Sequence, residues 1–355
     1  MRSWGFTARS PARSRYFRAR PAPMARPLIS LITPSYQQAP YLEECIASVH
    51  GQEVPVEHIV VDGGSTDGSK AIIEKHAGRF AWWCSEKDKG QSDAINKGLA
   101  HATGDVFGWL NSDDALLPGA LKRVSDAFAA DPELRVFGGS LRNLGPDGSL
   151  STSTINDTGE EDGLFSGPVI NQPATFWRMD AVRAIGGVDP ALRYVMDLEF
   201  WWQFLFRYGT GHLRFEPVEL AVFRLHAASK TSTAILGFLD EIAALLTGLC
   251  ERTGNDDLAR VLRAGHAMHA GLRGIPAGPE HRERVRRMTL RFLLKWNAEI
   301  HRENQFVMMR ALRDLRIDEN VFDPGQRARW AALLPDLVGP WNRFRVRRKL
   351  KHLFR

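Results

Sequence analysis

The sequence predicts an α/β fold: a mostly parallel sheet with flanking helices, continued by a C-terminal helical region. Three observations carry that expectation. Between Leu28 and Leu110, short β-rich apolar runs alternate with segments of helical period about ten residues long, the pattern of βαβ crossovers. The polar clusters fall at the ends of the apolar runs. From about Ile235 onward only helical stripes recur, without a further chemical motif.

The first strand is read at Leu28–Thr33 (LISLIT), closed by Pro34-Ser35. A helix follows with Pro40 in its first turn, where a missing N–H breaks no bond, and with Leu42, Ile46 and Val49 on one face. Glu57–Val61 (EHIVV) is the second buried strand and ends in Asp62-Gly63-Gly64-Ser65-Thr66-Asp67-Gly68. A helix starting near Thr66 carries Ile72 and Ile73. Phe80–Ser85 is the third strand, Gln91–Ala102 a helix and Asp105–Leu110 the fourth strand. Farther on, Gln172–Trp177 reads as a strand, followed by a helix from Asp180 and a turn at Gly186–Asp189. Leu236, Leu239, Ile242, Leu245, Leu246 and Leu249 form one helical stripe, and Arg282–Leu315 carries a long arginine-rich helical pattern. The expected organisation is a basic extension over 1–26, an α/β domain over 27–234 and a helical region over 235–355.

The chain of 355 residues has room for a catalytic core and an accessory region, and its 44% hydrophobic and 25% charged content is that of a globular protein. The net charge of +6 is concentrated at the two ends. Cys45, Cys84 and Cys250 lie far apart with no CxxC pair, which points to a reducing, cytoplasmic setting and away from a zinc site. No run of about 18 apolar residues is present, so no membrane-spanning helix is expected. The first 26 residues carry seven arginines and no acid. Such a leader is compatible with a transit peptide or a nucleic-acid arm, and the plainer reading is a disordered extension. Arg343–Arg355 is basic and acid-free, with Val346, Leu350, Leu353 and Phe354 on one side. That run reads either as a helix lying on the anionic inner face of a membrane or as a solvated helix packed on the bundle.

Trp109–Asp114 (WLNSDD) runs an apolar strand end straight into adjacent carboxylates. Such a pair repels itself and resists desolvation, so it makes a poor core element. It suits a hard cation such as Mg²⁺ or Mn²⁺, which takes a few carboxylate oxygens and completes its shell with phosphate oxygens and water. In isolation the pair reads as a solvated, helix-capping turn. Ligands of parallel sheets, however, gather at the carboxyl ends of the strands. Here those ends carry Thr33–Tyr36, Asp62–Asp67, Glu86–Asp93 and Asn111–Asp114 together. No GxGxxG follows the first strand, and no GxxxxGK[ST] occurs, so a metal rather than a glycine cradle is expected to hold phosphate. The implied ligand is a nucleoside diphosphate, with no hydride transfer, no kinase apparatus and no nucleic-acid partner.

The segments TPSYQQ, VDGGSTDGS, SEKDKGQSDAINKG and GWLNSDD, in this order and spacing, resemble family-two glycosyltransferases of the GT-A fold. The resemblance covers roughly Leu28 to Lys230. It implies that Pro34, Tyr36 and Asp62 surround the base and ribose, and that Lys89, Asp93 and Asn96 line the same cleft. It further implies that Asn111, Ser112, Asp113 and Asp114 form the diphosphate and metal site, with either aspartate as the direct ligand. Two departures stand out. The common Asp-Asp-Gly-Ser is Asp62-Gly63-Gly64-Ser65 here, which removes a base contact, and the first acid of the DXD segment is Asn111.

Tyr194–Trp202 (YVMDLEFWW) is similar to the family's Glu-Asp element, with Met196 in place of Glu. The resemblance makes Asp197 the base that takes the proton of the acceptor hydroxyl, with Glu199 as the runner-up. Capping of the following helix is compatible with that role. Trp177 and Glu199 are candidates for sugar contact; Trp201 and Trp202 read as packing residues. Phe223–Lys230 matches a further element, in which His226 could complete the metal shell or touch the diphosphate and Arg224 or Lys230 could neutralise the leaving group. The resulting expectation is an inverting transfer from a nucleoside-diphosphate sugar, UDP first among them, to a glycan or lipid-linked hydroxyl. A sugar-1-phosphate nucleotidyltransferase and a non-catalytic sugar-nucleotide or glycan binder are the alternatives.

Overall fold

The computed structural model of the protein describes residues 26–154, 161–167, 170–226, 234–296, 302–315 and 317–346. The basic leader 1–25, the segment holding Lys230 and the tail 347–355 lie outside the described residues, and with them the expectations placed there.

Strand β1 (Ile29–Ser35) is buried along its whole length and pairs in parallel with β2 (Val56–Asp62) on one side and β4 (Val106–Trp109) on the other. β3 (Trp82–Ser85) continues the parallel order beyond β2. Helices α1 (Ala39–His50), α2 (Ser69–His76) and α3 (Gln91–His101) make the crossovers. The pleat sends alternate residues of β1 to opposite faces. Leu31 joins a core with Cys45, Val49 and Phe128, whereas Ile32 joins one with Ile95, Val182 and Phe200. Burial on both faces explains why these strands read as unbroken apolar runs rather than as alternating patterns.

The second half departs from the parallel expectation. Beyond β4 come β8 (Thr175–Arg178), β6 (Val136–Leu144), β9 (Leu213–Arg224) and β5 (Ala115–Leu116), with β7 (Leu150–Ser153) hairpinned onto β6. The β4–β8, β6–β8, β6–β7 and β5–β9 pairs are antiparallel, and β6–β9 is parallel. The sheet is therefore mixed. Residues 172–174, expected to open a strand, form a 3₁₀ turn that presents Gln172 to the end of β4.

Helices α4 (Ala120–Ala130), α5 (Glu161–Ser166), α6 (Met179–Ile185) and α7 (Met196–Tyr208) complete the α/β part. The helical region consists of α8 (Ile235–Arg252), α9 (Asp256–Gly265), α10 (Arg282–Trp296), α11 (Glu303–Asp314) and α12 (Pro324–Leu333), with residues 341–346 also helical. The Arg282–Leu315 pattern thus belongs to two helices. Leu239, Leu245, Leu246 and Leu249 are buried as their spacing predicts, in one apolar core shared with Phe200 and Phe204 of α7. The helical region is packed onto the sheet domain through that core. All three cysteines are free thiols, and no helix among the described residues is long and apolar enough to cross a membrane.

Beneath the ends of β1 and β2, Thr33 Oγ1 lies 2.9 Å from His58 Nε2, and His58 Nδ1 lies 3.2 Å from His50 Nε2. Burial holds the His58 pKa at about 3, against an ordinary 6.5, and lowers that of His50 as well. The unfolded chain therefore takes up a proton at His58 between pH 6.5 and about 3 that the folded chain refuses, so stability falls as pH falls through that window. At pH 5 the expected loss is about 2 kcal/mol relative to neutral pH. Urea unfolding midpoints at pH 7 and pH 5 will drop accordingly in the parent protein and less in His58→Gln. Equal drops in both proteins would remove His58 as the cause.

Candidate functional site

The loops after β1 and β2 are zipped together. Gln37 N–H donates to Ser65 Oγ at 2.8 Å, Gln38 N–H to Ser69 Oγ at 3.2 Å and Ala39 N–H to Asp67 Oδ2 at 2.9 Å. Gln37 is held at φ 56°, a conformation costly for a non-glycine residue. Its side chain bonds Thr66 in both directions, which fixes the bend. The result presents the ring of Tyr36, 62% exposed, at the sheet edge, while Pro34 stays buried within β1.

Asp62 is fully buried. It accepts from the Gly64 and Ser65 amides and from the Ser65 and Ser85 hydroxyls. Three of these donors converge on Oδ2 and one on Oδ1. Asp62 therefore builds the turn after β2 from a fully buried position. Asn96 also holds the backbone. Its amide bonds the backbone of Val188 in both directions, at 2.8 and 3.1 Å, and pins the turn before α7 to α3. Asp93 accepts from Lys89 N–H at 3.1 Å and faces Lys97, while Lys89 itself is exposed at the loop end.

Asp88 escaped the sequence reading. A Cβ built on Gly63 would lie 2.8 Å from Asp88 Oδ2 and 3.1 Å from its Cγ. The Asp88 carboxylate thus fills the space that a side chain at position 63 would take. Its Oδ1 accepts from Gly90 N–H at 2.8 Å, and burial raises its pKa above the ordinary value. The one local hint was an acid between Lys87 and Lys89 at a strand end.

At the end of β4, the two aspartates are sorted by burial. Asp114 is 2% exposed and accepts from Arg224 N–H at 3.0 Å, tying β5 to β9. Burial, followed by the charge of Asp113, raises its pKa well above the carboxylate range. Asp114 thus ties β9 to the end of β4 from a buried place, and Asp113 is the more accessible of the two aspartates. Asp113 is part-exposed, its side chain 19% accessible, and its Oδ2 accepts from His226 Nε2 at 3.0 Å. The His226 ring leans on Tyr41 at 5.1 Å, and the Arg224 guanidinium covers the same tyrosine while donating to Asp113 O and Glu44. Asn111 is clasped by Gln91, Gln172 and Asp114, which shapes the loop, and Ser112 is buried. Asp113 and His226 offer one carboxylate oxygen and one imidazole nitrogen side by side. Among the described residues no group of three metal-ligating side chains occurs. The pair fits a divalent cation that takes its remaining ligands from a diphosphate and water.

Asp197 lies in the first turn of α7, part-exposed, with Oδ1 accepting from Leu198 N–H at 2.8 Å. Glu199, two residues on, is fully buried in a two-point ion pair with Arg273, at 2.7 Å for both bonds. Burial raises its pKa despite that partner. Trp177 is 4% exposed and wedged among Phe200, Trp201 and Phe204. Neither Glu199 nor Trp177 is placed to touch a sugar, because each is enclosed by core. Trp201 and Trp202 are packing residues, and their indole N–H groups donate to the carbonyls of Leu164 and Phe165.

The sequence model described as "Glycosyl transferase family 2" matches residues 30–171, the stretch that builds these loops. An uncharacterized glycosyltransferase of Mycobacterium tuberculosis is 33% identical over 182 residues, spanning 49% of this chain and 67% of the relative. The chain belongs to glycosyl transferase family 2. Two solved structures share its fold. A mannosyltransferase from Pyrobaculum calidifontis, in complex with GDP-Man and Mn²⁺, superposes with a TM-score of 0.53 at 16% identity, covering 93% of this chain and 81% of that one. S. aureus TarS 1–349, in complex with UDP-GlcNAc, gives 0.54 at 17% identity, covering 87% and 86%. This glycosyltransferase therefore has the GT-A fold expected from its motifs, and the nucleotidyltransferase alternative falls.

Proposed function

We propose that this glycosyltransferase transfers a sugar from a nucleoside-diphosphate sugar, UDP-linked first among the candidates, to a hydroxyl of a glycan or lipid-linked acceptor, with inversion at the anomeric carbon. The observation that carries the proposal is the Asp113–His226 pair, part-exposed at the sheet edge where the Tyr36, Asp88 and Lys89 loops also end. Tyr36 would stack on the base, and Asp88 would accept a base N–H in place of the side chain missing at position 63. Asp113 and His226 would hold Mn²⁺ or Mg²⁺, which when bound neutralises charge on the diphosphate. Asp197 would take the proton of the acceptor hydroxyl as its oxygen attacks opposite the leaving diphosphate, a single displacement that inverts the carbon. The segment 343–355 would keep the enzyme near an anionic surface that carries lipid-linked acceptors.

A panel of UDP-, GDP- and dTDP-sugars, incubated with and without Mn²⁺ and without acceptor, tests this reading. Slow Mn²⁺-dependent release of sugar from a UDP-linked donor is expected, with Asp88→Ala weakening UDP affinity about tenfold, the effect of one charge-assisted hydrogen bond. Binding of a donor without release of sugar, with or without Mn²⁺, would leave the non-catalytic sugar-nucleotide binder. Undiminished affinity in Asp88→Ala would remove the base contact.

A further inference from the structure

The segment leading into α7 has no local cap. Val195 stands at the helix N-cap and makes no side-chain bond to the first turn, and the run Arg193-Tyr194-Val195 offers no Ser, Thr, Asp or Asn. Three consecutive backbone N–H groups before a helix need acceptors, and here a residue far along the chain supplies them. Glu241 of α8, 1% exposed, accepts from Arg193 N–H at 2.8 Å through Oε1. Through Oε2 it accepts from Tyr194 and Val195 N–H at 2.8 and 3.0 Å. α8 is shaped to deliver that carboxylate. A Cβ on Gly237 would lie 2.5 Å from the Tyr194 ring, so only glycine lets the helix come this close, and Phe238 packs on the same ring at 5.2 Å.

A second residue of the helical region grips the same segment. Arg273 forks onto Glu199 in the first turn of α7 and donates to the carbonyls of Ile185 and Gly187, while its own N–H reaches Asp189. On the opposite side, Asn96 and Ser92 of α3 hold Val188 and Leu192. The stretch 185–199 is therefore fastened between the helix that follows the Lys89 loop and the helical region.

We propose that Glu241 and Arg273 are positioning residues for the transfer step, acting through the first turn of α7 to set Asp197 in the cleft. The helical region is then a working part of the transferase rather than an appendage. The inference rests on the reading of Asp197 as the base. A carboxylate held by three charge-assisted bonds in a buried place resists displacement. Replacing it by an amide turns one acceptor into a donor that faces an N–H. A small shift of a reacting group carries a large kinetic cost.

The test uses the full chain and compares Glu241→Gln, Asp197→Asn, the double variant and a control, Asp257→Asn, which removes the Asp257–Arg286 pair elsewhere in the helical region. Transfer kcat, donor KM, UDP affinity and Tm are measured for each. Glu241→Gln is expected to lower kcat about tenfold or more, with donor KM and UDP affinity within about twofold and a loss exceeding that of the control. In the Asp197→Asn background the same substitution is expected to add less than about twofold, because its effect passes through Asp197. Wild-type kcat in Glu241→Gln, or a loss no greater than in Asp257→Asn, overturns the clamp while leaving the base intact. Wild-type kcat in Asp197→Asn overturns the base reading instead. If Glu241→Gln does not fold, Arg273→Lys tests the other grip: it keeps the charge, loses the fork, and is expected to give the same split. Wild-type kcat there overturns the clamp.

Discussion

Asp113→Asn is expected to lower sugar transfer on the order of a hundredfold or more while leaving the fold intact. The carboxylate is part-exposed, and among the described residues its bonds are with His226 at 3.0 Å and a long one from Gln38, so an amide of the same size fits with little strain. The pair is part-buried, with side chains 14% and 19% exposed, so loss of the charge facing His226 should cost at most about 1 kcal/mol of stability. Asp114→Asn is expected to behave differently, although the two aspartates look equivalent in WLNSDD. Asp114 is buried between Arg224 N–H and the Asn111 amide, both donors. A side-chain amide there sets donor against donor and costs about 1–3 kcal/mol of stability. Thermal melts with and without Mn²⁺ separate the two. Asp113→Asn should nearly keep its apo Tm and lose the Mn²⁺-and-UDP-induced increase; Asp114→Asn should lose apo Tm. Full transfer by Asp113→Asn, or full transfer in EDTA, would end the metal assignment.

Asp197→Asn is expected to reduce transfer by about 10² to 10⁴, the range for removing a general base, with UDP affinity within about twofold of the parent. Glu199, the runner-up base of the sequence reading, is expected to act on folding. Glu199→Gln removes the charge from a fully buried carboxylate and leaves Arg273 with half its partner. Breaking such a pair from one side costs about 3 kcal/mol, at the low end of buried pairs because Arg273 is itself one-quarter exposed. Surviving Glu199→Gln enzyme should therefore show a lowered Tm and a kcat loss smaller than that of Asp197→Asn. A dead but fully stable Glu199→Gln would exchange the two assignments.

The first four strands and their crossovers were legible because each is a short apolar run closed by Pro, Gly or Asp, and a strand buried on both faces needs nothing more than such a run. The convergence of the Tyr36, Asp62, Lys89 and Asp113 loops followed from that order alone, as did membership in a family recognised by its loop motifs. The start of α1, with Pro40 in its first turn, and the buried stripe Leu239, Leu245, Leu246 and Leu249 are local properties of the same kind. The mixed second half was not legible. β6, β8 and β9 are chosen as neighbours by pairing partners far away along the chain, and their sequences carry the same apolar character whether they run parallel or antiparallel.

What each polar residue does was decided by tertiary structure. Asp62, Asn96, Asp114 and Glu199 have the residue types of a ligand site, and the fold also gives each of them protein partners to hold. Asp88 takes the place left open by Gly63, 25 positions away, and Glu241 caps a helix that begins 45 residues before it. A carboxylate is chemically the same in sequence whether it faces water, a cation or three amides. Its role follows from desolvation and from the donors that the fold brings within 3 Å, and those arrive from elements with no local trace of one another.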